Sequence, residues 1–153
     1  MNIKDLHFET KQIHAGLHID HTGSRGVAIY PTAAYKFNSC DHAAKLFELS
    51  TAGNIYTRLN NPTVAAFEER IAALYGGVGA LSVASGMAAI FIIASSLAKA
   101  GENIVASPYL YGGTYNLFRT SLQRLGVDVR IAARDDVSDC LLYTSPSPRD
   151  KRQ

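Results

Sequence analysis

The chain has 153 residues, of which 47% are hydrophobic and 18% charged, and its formal net charge is +2. This length allows one domain with a substantial hydrophobic core. So small a charge, without a stripe of lysine and arginine, argues against nucleic-acid binding. The two cysteines, Cys40 and Cys140, lack CxxC spacing and suggest neither a zinc site nor a disulfide framework. A reduced, cytoplasmic setting is expected, and the charged N-terminus lacks the apolar core of a signal peptide.

The first 40 residues show no sustained hydrophobic period, which is typical of an extended arm. Three histidines follow one another at a spacing that could place a metal ion on one helical face: His14, His18 and His21. Interspersed glycines argue against a firm helix there, and an arm with solvated histidines explains the same residues. The sequence therefore favours an arm without a metal site.

Two helices are predicted next. Asp41 is the expected N-cap of a short helix through Leu49. A second helix is expected to begin after the N-cap Asn61, with Pro62 at its first position, and to end at Gly76. The inward-facing apolar residues predicted for the two helices are Ala44, Phe47, Val64, Phe67, Ile71 and Leu74.

From residue 80 onward, apolar strands and helices alternate. The predicted strands are 80–84, 103–107 and 127–133, and the predicted helices are 87–100 and 114–125, the latter with Thr114 as its N-cap. Strands that alternate with helices of this length are joined by crossover connections and form a mainly parallel sheet. The predicted fold class is therefore α/β.

Residues 78–98 carry no charge and are numerous enough to span a bilayer. Serines interrupt this stretch, and Ser85-Gly86 in its middle favours a turn between a buried strand and a buried helix. We therefore interpret it as core, and expect no membrane partner.

The loop AGNIYTRLNNPTV (52–64) combines a rigid aromatic ring with a cation. Arg58 offers a planar, charged fork that fits the oxygens of phosphate or carboxylate groups. The hydroxyl of Tyr56 could contact the same anion. A solvated loop with one surface arginine is the alternative interpretation.

A second candidate site lies at Ser85-Gly86-Met87, where a predicted strand gives way to a helix. Gly86 lets the backbone approach a ligand closely, and the first helical N–H groups lack intrahelical acceptors, which suits phosphate. Many sheets turn this way without binding anything, and the patterns GxGxxG and GxxxxGK[ST] are absent. Tyr111, after the next strand, could present its ring to a flat heteroaromatic ligand or lie in the core. Together with the Tyr-Arg loop, these features favour a phosphorylated flat ring such as pyridoxal phosphate.

Three segments in this order, GNIYTRLNNPT, SVASGMAAI and SPYLYGGTYNLF, resemble the Cys/Met-metabolism family of pyridoxal-phosphate (PLP) enzymes, which have the PLP-dependent transferase fold type I. Within that family the chain is most similar to O-acetylhomoserine sulfhydrylases, also through TGSRGVAIYPTAAYKF (22–37) and IAALYGGVGALSVASG (71–86). The resemblance covers residues 8 to about 139. It implies an N-terminal arm and partner-site loop over 1–60, and part of the large PLP-binding α/β domain over 61–139. The segment CLLYTSPSPRDKRQ (140–153) has no apolar period; a disordered natural C-terminus would explain it, but we expect a read-through or adaptor scar.

The resemblance also implies a role for each candidate residue. Gly86 and Met87 would give backbone N–H groups to the cofactor phosphate. Tyr111 would stack on the pyridine ring and assist departure of the leaving group. Tyr56 and Arg58 would reach the phosphate of the neighbouring subunit's cofactor, so the full-length protein would be a homodimer or homotetramer with the arm lying across the neighbour.

The implied reaction is γ-replacement, in which O-acetyl-L-homoserine loses acetate and gains sulfide or methanethiol, giving homocysteine or methionine. Cystathionine synthase or lyase and methionine γ-lyase of the same family are alternatives, as is a non-catalytic truncated chain that acts only as a dimer partner. The chemistry needs a lysine for covalent attachment of the cofactor, and in the family it comes later in the chain. Lys99 should lie about 18 Å along its helix from the phosphate site. We therefore expect this polypeptide alone to be inactive.

Overall fold

The computed structural model describes residues 3–133. Within them the elements follow in the order 3-10 turn Ile3–Asp5, α1 Phe8–His14, α2 Cys40–Phe47, α3 Pro62–Tyr75, α4 Gly86–Leu97, β1 Asn103–Ala106, α5 Gly112–Asn116, π-helical turn Leu117–Leu122 and β2 Asp128–Ile131. The chain forms two compact units, the first ending at Ser82 and the second beginning at Val83. The predicted organisation into 1–60, 61–139 and 140–153 stays a prediction, and residues 140–153 lie outside those that the structure describes.

The first unit contains a helix that the sequence did not predict. Helix α1 packs against α3, although none of its own residues is buried. A residue of α3 holds this helix in place: Arg70 donates from Nε to the carbonyl oxygen of Ala15, directly after α1, at 2.8 Å. Gly16 has a φ of +69°, and a Cβ there would overlap the carbonyl oxygen of Ala66. The arm therefore follows α3 closely, and this tertiary contact, rather than a hydrophobic period, explains the helix.

The predicted cap and inward face of α2 are wrong. The N-cap is Ser39, whose hydroxyl accepts from the His42 N–H at 3.0 Å, so the helix begins before Asp41 and ends at Phe47. Leu46 is the buried residue, and Phe47 is 63% exposed. Ala44 is exposed as well. Leu46 faces the chain that returns after the helix, since a Cβ on Gly53 would meet its Cδ2 atom at 2.8 Å.

The predicted boundaries of α3 are confirmed. Asn61 is its N-cap, Pro62 its first residue, and Gly76 ends it in the left-handed conformation with φ +67°. The predicted inward face is only half right. Ile71 and Leu74 are partly buried, but Val64 and Phe67 are exposed. Ala66 is the buried residue of the helix, because the arm covers that side.

The second unit has the α/β character that the sequence predicts. Strands β1 and β2 pair in parallel, with Asn103 opposite Asp128 and Ala106 opposite Ile131. The apolar core beneath them consists of Ala94, Ala98, Leu122, Val127 and Val129, with Ile104, Phe118 and Ile131 packed against it. The connection between the strands runs through α5 and the π-helical turn, which is the crossover that parallel strands require.

Three predicted elements of this region differ in the structure. Residues 80–84 are not a strand, because no described segment pairs with them. Helix α4 ends at Leu97 rather than at residue 100, and Ile93 on it is exposed. Thr114 lies buried inside α5 instead of capping it, since the N-cap is Tyr111. Between residues 3 and 133, no helix has both the length and the apolar character needed to cross a membrane.

Candidate functional site

The start of α4 presents two N–H groups without acceptors. The hydroxyl of Ser85 accepts from the N–H of Ala88 at 3.1 Å, and the carbonyl oxygen of Ser85 accepts from Ala89 at 3.1 Å. Among residues 3–133, nothing accepts a hydrogen bond from the N–H groups of Gly86 and Met87. Apart from its chain neighbours and the backbone of α4, no described residue has an atom within 4 Å of a Cβ built on Gly86, so the described chain leaves space beside the helix start. Free N–H groups at the positive end of a helix favour an anion.

Tyr111 lies beside this helix start. It is the N-cap of α5 and its side chain is exposed, with 79% of the residue accessible. The hydroxyl of the buried Thr114 donates to the sulfur of Met87 at 3.9 Å, which joins α5 to the start of α4. The structure therefore brings three of the predicted site residues together: Gly86, Met87 and Tyr111.

Gly113 lies between the tyrosine ring and the methionine sulfur. A Cβ built on it would lie 2.9 Å from Cε1 of Tyr111 and 3.3 Å from Sδ of Met87. Sequence reasoning identified neither this close approach nor the contact of Thr114. The only sequence signal was the Gly-Gly-Thr run after the tyrosine, which predicts a flexible turn or a helix cap rather than a contact.

The Tyr-Arg loop belongs to the first unit. The guanidinium carbon of Arg58 lies 5.5 Å from the centre of the Tyr56 ring, which is within the range of a cation–π contact. Both side chains are exposed and line a cavity of about 390 Å³. Tyr35 lines the same cavity, and its hydroxyl is buried with no hydrogen-bond partner in the described part of the chain. The sequence analysis did not identify Tyr35.

Two adjacent asparagines fix the shape of this loop. Asn60 donates from Nδ2 to the carbonyl oxygen of Gly53 at 2.6 Å and accepts at Oδ1 from the N–H of Ile55 at 3.0 Å. Asn61 donates from Nδ2 to the hydroxyl oxygen of Thr57 at 3.1 Å. These hydrogen bonds fix the backbone of the loop that carries Tyr56 and Arg58. The sequence predicted Asn61 as a helix cap and gave Asn60 no role.

The remaining candidates do not form a site in the structure. Residues 3–133 contain no group of three or more side chains that could hold a metal ion, and the three histidines of the arm form no such group. His18 instead contacts Glu69, with 2.6 Å between Nε2 and Oε2. Lys99 follows the C-cap of α4 and so lies beyond the opposite end of the helix from Ser85. The 12 residues of α4 span about 18 Å along its axis.

Comparison with known proteins identifies the class. The family model of the Cys/Met metabolism PLP-dependent enzymes matches residues 9–147. The chain belongs to this family, whose members depend on pyridoxal phosphate.

Individual relatives define the similarity further. The chain is 50% identical over 140 residues to homocysteine synthase of Schizosaccharomyces pombe, covering 91% of this chain and 33% of the relative. It is 53% identical over 132 residues to O-acetyl-L-homoserine sulfhydrylase 1 of Thermus thermophilus, covering 86% of this chain and 31% of the relative. The chain thus spans about a third of the length of the curated relatives it matches.

Solved structures agree with the fold. An O-acetylhomoserine (thiol)-lyase of Campylobacter jejuni matches with a TM-score of 0.86 and 37% identity, over 92% of this chain and 35% of that one. That structure carries N'-pyridoxyl-lysine-5'-monophosphate. The metB protein of Corynebacterium glutamicum matches with a TM-score of 0.82 and 32% identity, over 95% of this chain and 36% of that one. The predicted family and the predicted α/β fold are therefore confirmed.

Proposed function

We propose that the full-length protein catalyses γ-replacement on O-acetyl-L-homoserine, exchanging acetate for sulfide or methanethiol to give homocysteine or methionine. The similarity to a homocysteine synthase and to an O-acetyl-L-homoserine sulfhydrylase supports this choice of substrate. The observation that carries the proposal for this chain is the open start of α4, with two unpartnered N–H groups next to an exposed tyrosine ring.

The residues at this site fit pyridoxal phosphate. The N–H groups of Gly86 and Met87 would bind the phosphate, and the missing side chain at Gly86 leaves room for it. The ring of Tyr111 would cover the flat face of the pyridine. When bound, pyridoxal phosphate supplies an electron sink for the carbon atoms of the substrate. The exposed Oη of Tyr111 would hold a proton beside the departing acetate oxygen.

Tyr56 and Arg58 would act on the neighbouring subunit of a homo-oligomer. The guanidinium fork would donate two parallel hydrogen bonds to phosphate oxygens, and the tyrosine hydroxyl would add a third. We propose a homodimer or homotetramer in the cytoplasm, in which each subunit completes its partner's phosphate site. The exposure of both side chains and the asparagine bonds that hold their loop support this assignment.

A product assay on the full-length gene product tests the reaction. We expect acetate release from O-acetyl-L-homoserine that depends on sulfide, with homocysteine as the product. Cystathionine formation from cysteine, or 2-oxobutanoate from methionine without added thiol, would instead assign a different reaction of the family. Absence of both a bound cofactor and turnover would contradict the proposal.

The alternative of a non-catalytic dimer partner needs its own experiment. A sequencing read of the source DNA across codon 139 shows whether the frame continues into further α/β sequence with a lysine. If the frame stops after Gln153, the 153-residue chain can be mixed with a separately produced full-length relative. Mixed dimers would then support the partner role, and their absence would contradict it.

A further inference from the structure

We propose that Gly113 is a positioning residue for Tyr111, because only a glycine there leaves the tyrosine ring room to lie against the start of α4. This inference rests on the proposed function of Tyr111 in the cofactor site. It starts from a close approach: a Cβ on Gly113 would lie 2.9 Å from Cε1 and 3.3 Å from Cδ1 of the ring. Both distances are shorter than ordinary van der Waals contact between carbon atoms.

Backbone geometry does not explain the glycine. Gly113 does not have a positive φ, so alanine can adopt its backbone conformation. It is the second residue of α5, and helix propensity does not favour glycine over alanine there. The space taken by the tyrosine ring does explain a glycine at this position.

Adding a side chain at position 113 should displace the ring of Tyr111 rather than disturb the fold. Tyr111 is largely exposed, so its side chain can turn outward at little cost. The other neighbour, the sulfur of Met87, accepts from the buried hydroxyl of Thr114 and is less free to move. A methyl group at position 113 would therefore move the tyrosine ring away from the helix start where the cofactor is proposed to bind.

The neighbouring glycine provides a matched control. Gly112 begins the same helix. Apart from its chain neighbours and the backbone of its own helix, no described residue has an atom within 4 Å of a Cβ built on it. Gly112→Ala and Gly113→Ala both exchange a helical glycine for alanine, and neither residue has a positive φ. Only the Cβ of Gly113→Ala would approach Sδ of Met87 as well as the ring of Tyr111. Repeating the change in a Tyr111→Ala background separates the effect of the ring from that of the methionine.

The test measures both variants in the full-length gene product. We expect equal or higher thermal stability for both and an unchanged kcat/KM for Gly112→Ala. For Gly113→Ala we expect a loss of about tenfold to hundredfold in kcat/KM, as a displaced catalytic group produces. In a Tyr111→Ala background, Gly113→Ala should have no further effect, because the two changes act through one ring. An equal kcat/KM for the two glycine variants, a persisting effect in the Tyr111→Ala background, or unfolding of Gly113→Ala would each overturn the proposal.

A second readout is independent of the proposed function. With 3-fluorotyrosine incorporated, the fluorine resonance of Tyr111 is assigned by its loss in Tyr111→Phe and is observed in cofactor-free protein. We expect Gly113→Ala, whose Cβ would lie 2.9 Å from the ring, to shift this resonance more than Gly112→Ala does. A shift in a protein without turnover would contradict the proposed function but support the positioning contact. The absence of a shift would overturn the contact itself.

Discussion

The side-chain nitrogen of Asn61 donates to the carbonyl oxygen of Tyr30 at 3.0 Å. The same side chain accepts from the N–H of Thr63 at 2.9 Å, which caps α3, and donates to Thr57 in the Tyr-Arg loop. Asn61 is only 4% exposed. One buried amide thus joins the arm segment, the loop and the helix of the first unit.

Asn61→Ala should lower the free energy of unfolding by more than the loss of a helix cap. Removing a cap costs about 1 kcal/mol, and the two further hydrogen bonds of the amide, which are partly buried, add about 0.5–1.5 kcal/mol each. Urea unfolding measures the loss. Ser39→Ala is the control, since Ser39 caps α2 and makes no such connection to other segments. Equal losses for the two variants would show that the additional bonds of Asn61 contribute nothing.

A second prediction concerns the docking of the arm on α3. Gly16 and Gly23 have nearly the same left-handed φ, +69° and +70°. Beyond the chain neighbours, a Cβ on Gly16 would meet Ala66, whereas a Cβ on Gly23 would meet none of the described residues. Each change to alanine should cost about 1–2 kcal/mol for the conformation. Gly16→Ala should cost about 1–3 kcal/mol more, because the arm must move away from Ala66. Urea unfolding together with limited proteolysis near α1 checks this, and indistinguishable variants would rule out close packing of the arm.

A third prediction separates capping from anion binding at α4. Ser85→Ala should destabilise the protein by about 1 kcal/mol, because the N–H of Ala88 loses its acceptor. Ser85→Asp restores an acceptor and the stability, but its negative charge repels a phosphate at the neighbouring N–H groups. We expect about a tenfold weaker affinity for pyridoxal phosphate from this charge, measured by equilibrium dialysis. An unchanged affinity in Ser85→Asp would place the phosphate elsewhere.

A fourth prediction uses the proposed exchange of loops between subunits. Arg58→Ala should weaken cofactor binding, and Arg58→Lys should recover it only in part, because lysine cannot form the paired hydrogen bonds of arginine. Arg25→Ala is the control, since Arg25 is also exposed but belongs to no candidate site.

A mixing experiment tests which subunit the loop serves. Activity should return when subunits carrying Arg58→Ala are dissociated and mixed with subunits carrying Ser85→Asp. Half of the dimers would be mixed and each would contain one intact site, so about a quarter of the sites would recover. No recovery would mean that the loop serves its own subunit.

The fifth prediction concerns the polypeptide of 153 residues by itself. We expect no borohydride-stable pyridoxal adduct on Lys99, because that residue lies beyond the far end of α4, and the helix of 12 residues separates it by about 18 Å of axial length from the proposed phosphate site. Mass spectrometry of the reduced protein after digestion measures this, with free Lys peptides as a reactivity control. A specific adduct on Lys99 would overturn the proposed position of the cofactor.

Local signals in the sequence were sufficient where an element depends on its own residues. Asn61-Pro62 and Gly76 define α3 because capping and the left-handed turn are local effects. The parallel pair β1 and β2 was also predictable, since β1 is mostly apolar, β2 alternates charged and apolar residues, and each follows a glycine. The sequence pattern of residues 80–84 predicts a strand as well, but none forms. A strand also needs a neighbouring strand to pair with, and a local sequence pattern does not show whether one is present.

The residues of the candidate site were predictable from the sequence, but their contacts with one another were not. The helix start at Gly86 and the aromatic Tyr111 were identified from the sequence, because helix ends and aromatic rings have local chemistry. Their proximity through Thr114 and Gly113 depends on how α5 packs beside α4. The face that each helix buries was likewise decided by tertiary contacts, as Leu46 in α2 demonstrates.

The π-helical turn Leu117–Leu122 has a consequence for how this region tolerates changes in length. Each of its hydrogen bonds encloses one more residue than an α-helical bond does. Deleting one residue here could therefore convert the turn to α-helix while Tyr111 before it and Leu122 at its end, which is fully buried, keep their places. The same deletion inside α4 would rotate every later side chain by about 100°. Natural variants with single-residue gaps should accordingly concentrate in this turn and avoid α4.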